Sequence, residues 1–126
     1  MAVIQSFRDL ETYRLVRVQV KRIFEMTRSF PKEERYSLTD QVRRSSRAVK
    51  AMIAEAWGRR RYQAAFENKI NEALGEAMET QSWLDDALDC GYIDAAAHEE
   101  LDQAWQHIGG KLNRMIQRAE AFCPKS

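Results

Sequence analysis

Residues 37–58 read SLTDQVRRSSRAVKAMIAEAWG, and their apolar and small positions fall at Leu38, Val42, Ser45, Val49, Met52 and Ala56, in steps of 4, 3, 4, 3 and 4. Spacing that alternates between three and four lines these side chains along one stripe of an α-helix, whereas a half-buried strand would alternate every second residue. Ser37 stands three residues ahead of Asp40, the arrangement of a capping box with Asp in place of the usual Glu. Gly58 suits a helix stop. The stretch therefore predicts an amphipathic helix over about residues 38–57. Its small side chains, Ser45, Ser46, Ala48, Ala51, Ala54 and Ala56, would let a neighbouring helix approach closely.

The same period recurs on either side. Upstream, Tyr13, Val16, Val20, Ile23, Thr27 and Phe30 recur at 3, 4, 3, 4 and 3, which predicts a helix over about 9–29 that Pro31 ends. Downstream, Phe66, Ile70, Ala73, Ala77, Leu84 and Leu88 predict an inward face for a helix over about 63–89, with Gly91 as its stop. Gly75 inside it costs roughly 1 kcal/mol relative to Ala, so close backbone packing is expected there. Asp94 caps a last helix over about 95–121, with Leu101, Ala104, Ile108, Leu112, Met115 and Ala119 on its seam and Gly109 and Gly110 weakening its middle. Four amphipathic segments with short connections predict an all-α fold, an antiparallel up-down-up-down four-helix bundle, as one domain over residues 1–126.

Net charge separates the two halves of the chain. Up to Gln63 there are 15 Lys+Arg against 7 Asp+Glu, a charge of +8, and beyond it 5 against 12, a charge of −7. Such asymmetry bears on partners, either a polyanion for the basic half or the acidic half of another copy. Hydrophobic residues make up 44% of the chain, enough for a core without disulfides. Cys90 and Cys123 have neither C-x-x-C spacing nor a nearby His pair, so ordinary thiols are expected, with no metal and no cofactor. No run approaches the ~20 apolar residues of a membrane span. MAVIQSF lacks a basic region followed by an apolar stretch, so no secretion signal is expected and a cytoplasmic location follows.

Catalytic patterns are missing. A di-iron bundle needs Glu-x-x-His pairs on two helices, but the residues three before His98 and His107 are Ala95 and Ala104. Each histidine reads as a surface or rim residue. G-x-S-x-G, a phosphate loop and H-E-x-x-H are also missing. Glu55 and Glu79 are the carboxylates placed where burial could draw them in, and both read as structural. No enzyme activity is expected.

Basic residues carry more information. Arg14, Arg17, Lys21 and Arg28 share a face of the first helix, Arg43, Arg44, Arg47 and Lys50 cluster on the second, and Arg59, Arg60 and Arg61 form a triplet at the following turn. These suit phosphate contacts, and Trp57 and Tyr62 beside the triplet could stack on unpaired bases. The competing reading is charge pairing, within or between subunits, with Glu72, Glu76, Glu79, Asp85, Asp86 and Asp89 of the third helix.

FRDLETYRL, SFPKEERYSLTDQVRRSSRAV, MIAEAWGRRRY and ALGEAMETQSWLDDALDCGYI, in that order, give the chain a resemblance to the four-helix bundle family of 23S rRNA intervening-sequence proteins over nearly its whole length. Where that family usually has Asn-Ile-Ala-Glu this chain has Met52, Ile53, Ala54 and Glu55; Ala56 replaces a common Gly, and Gly75-Glu76 replaces Gly-Ser. The resemblance implies a homopentameric assembly. The chain is also similar to the accessory protein of diversity-generating retroelements, a pentameric barrel that binds nucleic acid. Two functions remain open: an oligomer that binds RNA or DNA through its basic helices, and a protein-interaction scaffold with no nucleic-acid role.

Overall fold

A computed structural model describes residues 3–125 of the chain. Four helices, α1 (Glu11–Thr27), α2 (Leu38–Gly58), α3 (Gln63–Asp89) and α4 (Ala95–Gln117), account for most of these, with 3-10 turns at Phe7–Asp9, Lys32–Glu34 and Ala119–Ala121 and no strand among the described residues. Helix α2 packs on α1 and α3, α3 on α4, and α4 back on α1. Neighbours in sequence are thus neighbours in space, which is the antiparallel up-down-up-down bundle. No helix among the described residues is long and apolar enough to cross a membrane.

Helix ends depart from the sequence reading where side chains outside the periodic segments supply the caps. Helix α1 begins at Glu11 rather than near Asp9, because Ser6 and Asp9 form a capping box around the first 3-10 turn and leave Leu10 extended. The capping box expected at Ser37 and Asp40 does not form. Ser37 Oγ instead donates to Glu34 Oε1 at 2.6 Å, and the Leu38 N–H reaches the same oxygen at 3.4 Å. Glu34 is delivered by the 3-10 turn after Pro31, and a carboxylate is favoured at a helix N-terminus. Tyr92 Oη donates to Glu34 Oε2 at 2.8 Å, fastening the α3–α4 connection to this start. Hydrogen bonds from Ser37 and then Tyr92 hold the Glu34 carboxyl below its ordinary pKa.

Helix α3 ends as Gly91 predicts. Gly91 sits at φ 76, its N–H bonds Leu88 O at 3.0 Å, and Tyr92 N–H bonds Ala87 O at 2.9 Å. This is the Schellman pair, which needs a left-handed residue at that place. Helix α4 stops at Gln117, four residues short of expectation. The 3-10 turn that follows brings Phe122 onto Phe66, ring centroids 5.7 Å apart.

Most of the predicted seam is buried, with three shifts of one residue. Ile53 takes the buried place expected for Met52, Ala87 that of Leu88, and Trp105 that of Ala104. One residue turns a helix by about 100°, so a position at the stripe's edge is decided by what faces it. At Trp105 the larger apolar surface wins the interior. Thr80, which the seam omitted, is fully buried, and its Oγ1 meets Ser45 Oγ at 2.8 Å between α2 and α3. Each hydroxyl owns one hydrogen, so one bridges the helices while the other bonds a carbonyl of its own helix, Val42 O or Glu76 O.

The close packing expected at Gly75 is absent. The residue is exposed, and a Cβ added there, or at Gly110, would meet nothing within 4 Å. Removing backbone freedom at exposed helical sites without a clash should therefore stabilise. Gly75→Ala and Gly110→Ala are each expected to add up to about 1 kcal/mol, read as a higher urea midpoint at unchanged slope. An unchanged or lower midpoint would refute the assignment of these sites as open helix surface.

Candidate nucleic-acid interface

Burying Val42, Ser45, Val49, Ile53 and Ala56 forces the other side of α2 outward, and the outward residues include Arg44 and Arg47. On the adjacent α1, burial of Tyr13, Val16, Ile23 and Thr27 turns Arg14, Arg17, Lys21 and Arg28 to solvent in the same way. The two basic stripes lie on neighbouring antiparallel helices. Among the described residues no carboxylate lies within ion-pair distance of Arg17, Lys21, Arg28, Arg44, Arg47, Lys50 or Arg61.

The remaining predicted cations are engaged inside the chain. Arg43 is half-buried: its Nε donates to Thr27 Oγ1 at 2.7 Å, and its guanidinium lies 4.7 Å from the Phe24 ring centroid. Burial first, then Arg47 and Arg28, push its pKa below the ordinary arginine value, yet a guanidinium stays charged. Arg43 is thus a strut between α1 and α2 that adds to the field of the surface. Arg14 Nε donates to Arg8 O at 2.9 Å and pairs with Asp9 at 3.5 Å. Arg59 faces Glu55 at 3.7 Å, and Arg60 lies over the Trp57 ring at 3.9 Å while bonding Trp57 O. With its face covered by Arg60, Trp57 is no free stacking platform. Tyr62, 67% exposed, remains open.

Where α1 turns into α2, Phe24, Lys32, Arg35 and Tyr36, none of them singled out as candidate site residues from the sequence, join the expected Arg28 and Arg43. Phe24, Arg28, Lys32, Arg35, Tyr36 and Arg43 line an open groove of about 610 Å³ there. A second groove joins Arg35 and Tyr36 to Arg44 and Arg47. In sequence these residues were dispersed between a helix end and the linker PKEERYS; the turn brings them together. An ERY run beside a helix rich in Arg was the signal available.

Most acidic residues of α3 are engaged away from this face, though Asp40 lines its second groove and Glu76 feels the Arg44 charge. Glu72 pairs with Lys69 at 2.8 Å, and Glu55 pairs with Lys69 at 3.3 Å, which ties the end of α2 to α3. Hydrogen bonding to Glu72 leads the causes that raise the Lys69 pKa. Glu79 accepts from Trp83 Nε1 at 3.3 Å. Its neighbour Glu76 has its carboxyl pKa raised, by burial first and then by the Glu79 charge, against an opposing pull from Arg44. Glu55 and Glu79 are therefore both held in contacts, Glu55 between α2 and α3 and Glu79 along α3. His98, read as a rim residue, lies with Nε2 2.8 Å from Asp85 Oδ1. With Asp102 it forms a trio whose ligand atoms lie within 4.8 Å of one another, bringing potential metal donors together where none were expected.

The model of the family described as 23S rRNA-intervening sequence protein matches residues 8–114. Among solved structures the chain is similar to a protein with unknown function from the S23 ribosomal protein family of Bacteroides thetaiotaomicron. The two share 27% identity at a TM-score of 0.76, with 84% of this chain and 95% of that chain covered. No curated protein matches significantly.

Because the Glu76 pKa is raised on folding, its ionisation costs stability above the carboxylate range, and the cost fades as pH falls and the group protonates. Glu76→Gln is expected to raise Tm near pH 7, with the gain closing toward pH 4. Calorimetry at the two pH values decides it, and a gain that persists or grows in acid would refute the assignment.

Proposed function

The chain belongs to the 23S rRNA-intervening sequence protein family, and on that premise we propose that it is an oligomeric, non-catalytic protein that binds RNA or other nucleic acid in the cytoplasm through the basic face of α1 and α2. The observation that carries this reading is the row Arg17, Lys21, Arg28, Arg44, Arg47 and Lys50, none of which has a carboxylate within ion-pair distance among the described residues. Cations grouped on one surface repel each other unless an anion joins them. A phosphate backbone supplies such anions at regular spacing, giving affinity without sequence information. The family's name, with its link to ribosomal RNA, points the same way. Engagement of Glu55 and Glu79 in contacts with neighbouring side chains supports binding over catalysis.

A scaffold reading has its own support. Asp86 and Asp89 are exposed on α3 with no cation within ion-pair distance among the described residues, so an acidic surface of one copy could meet the basic face of the next. Contacts between unlike surfaces close into rings when the rotation allows, and the family resemblance favours five copies. A ring would also multiply weak phosphate contacts by avidity.

Two measurements check these statements. For binding, the expected outcome is salt-sensitive affinity for RNA: neutralising about five phosphates predicts a loss on the order of a hundredfold for a fourfold rise in salt. Absence of any binding at low salt would sink the nucleic-acid reading. For assembly, light scattering on the 14.7 kDa chain is expected to show a closed oligomer of about five copies. A stable monomer would refute the ring, and a two-fold dimer would refute unlike-surface closure. Reversing Arg44 and Arg47 to Glu separates the readings: binding lost with assembly intact favours the first, and assembly lost favours the scaffold.

A further inference from the structure

Tyr36 is 83% exposed, the most open of the large apolar or aromatic side chains among the described residues. It lies between the 3-10 turn Lys32–Glu34 and the start of α2, where the Arg35 guanidinium is 5.5 Å from the ring centroid. Phe24 and Trp57 are already covered, Phe24 by Arg43 at 4.7 Å and Arg47 at 5.8 Å and Trp57 by Arg60 at 3.9 Å, while Tyr62 is open at the other end of α2, away from these grooves. Folding gains little from the Tyr36 ring. The ring nevertheless sits where the two grooves of the α1–α2 turn meet: Arg35 and Arg43 line both, Arg28 and Lys32 add to the first, and Arg44 and Arg47 add to the second, where they outnumber its one carboxylate, Asp40.

We infer that this junction takes an unpaired nucleobase against Tyr36, with the flanking phosphates on Arg35, Arg44 and Arg47, so that the protein selects single-stranded over double-stranded nucleic acid. The inference rests on the nucleic-acid reading above and specifies its substrate. Stacking and charge make opposite demands here. A surface that acted by charge alone would favour duplex, whose phosphates are denser and release more counterions per contact. In a duplex, however, each base face is covered by its neighbours, and Tyr36 has nothing to stack on. A flexible single strand can present a base to the ring and keep its phosphates within reach of the arginines on both sides. Every base has a π-face, so the preference is for strandedness and not for sequence. The 610 Å³ groove beside the ring lies within the range that accepts small ligands.

The experiment uses the full chain and labelled RNA of about 15 nucleotides, as a single strand and as a hairpin duplex of matched charge, with heparin as a polyanion that has no bases. Wild-type protein is expected to bind the single strand more tightly than the duplex. Tyr36→Ala should weaken the single strand about tenfold, within the range of one base stack, at an unchanged salt slope, while duplex and heparin binding stay as they were. Tyr36→Trp should retain the preference. Arg44→Ala with Arg47→Ala should weaken all three probes and lower the salt slope. Since Tyr36 is exposed, its substitution leaves the fold standing, which an unchanged Tm verifies. Salt-sensitive binding that favours duplex, or that Tyr36→Ala leaves unaltered on the single strand, overturns this inference and leaves the broader reading intact. Lack of binding to all three probes overturns both.

Discussion

The meeting of Ser45 and Thr80 at 2.8 Å, inside the core between α2 and α3, constrains much of the rest. Two hydroxyls can be buried there only because one donates to the other and the second donates to a carbonyl of its own helix; left alone, each would cost about 1–3 kcal/mol. Around them small residues, Ser46 and Ala56 on α2 and Ala73 and Ala77 on α3, are buried as well, so these two helices share the most extensive packing of the bundle. Larger side chains, among them Phe66, Ile70, Leu84, Trp105 and Leu112, fill the interior. Once α2 commits this face to α3, its rotation about its own axis is set. Turning it by one residue would bury Arg44 or Arg47, neither of which forms an ion pair among the described residues.

Charge follows from that commitment. Anions and cations that meet across helices do so mainly away from the α1–α2 face: Arg22 with Glu100 and Lys111 with Glu11 join α1 to α4, each at 2.7 Å, and Lys69 joins α3 to the end of α2. Exposed pairs of this kind contribute at most about 1 kcal/mol each, so they orient the helices more than they hold them. What they accomplish is an uneven distribution. Acids on α4 and on the start of α1 are taken up, while Arg17, Arg28, Arg44 and Arg47 on the outer surface of α1 and α2 have no carboxylate within ion-pair distance among the described residues. Arg43 is the exception that links the two roles, bonded to Thr27 and stacked on Phe24 while adding its charge to the surface.

Much of the bundle was legible because its signals are local. Pro31 ends a helix through its own ring, Gly91 ends another through its positive φ, and Asp94 caps α4 by accepting from Ala97 N–H at 2.8 Å. Errors arose where two neighbouring residues could each claim the interior, as at Met52 and Ile53 or Ala104 and Trp105, since the facing helix decides between them. At the start of α2, Ser37 had the composition of a cap, but a carboxylate three residues upstream took the role once the 3-10 turn brought it near.

By itself the sequence determined the helix count, the approximate helix limits, the antiparallel order and the basic character of α1 and α2, because period, punctuation and charge are properties of contiguous residues. Tertiary structure alone decided which arginines are free and which are struts, that Trp57 is covered while Tyr36 is open, and that Phe24, Arg28, Arg35 and Arg43 share one groove. Those facts depend on the angle at which two helices meet and on the path of the turn between them. Distance through space, which the order of residues does not encode directly, governs both electrostatic and stacking contacts.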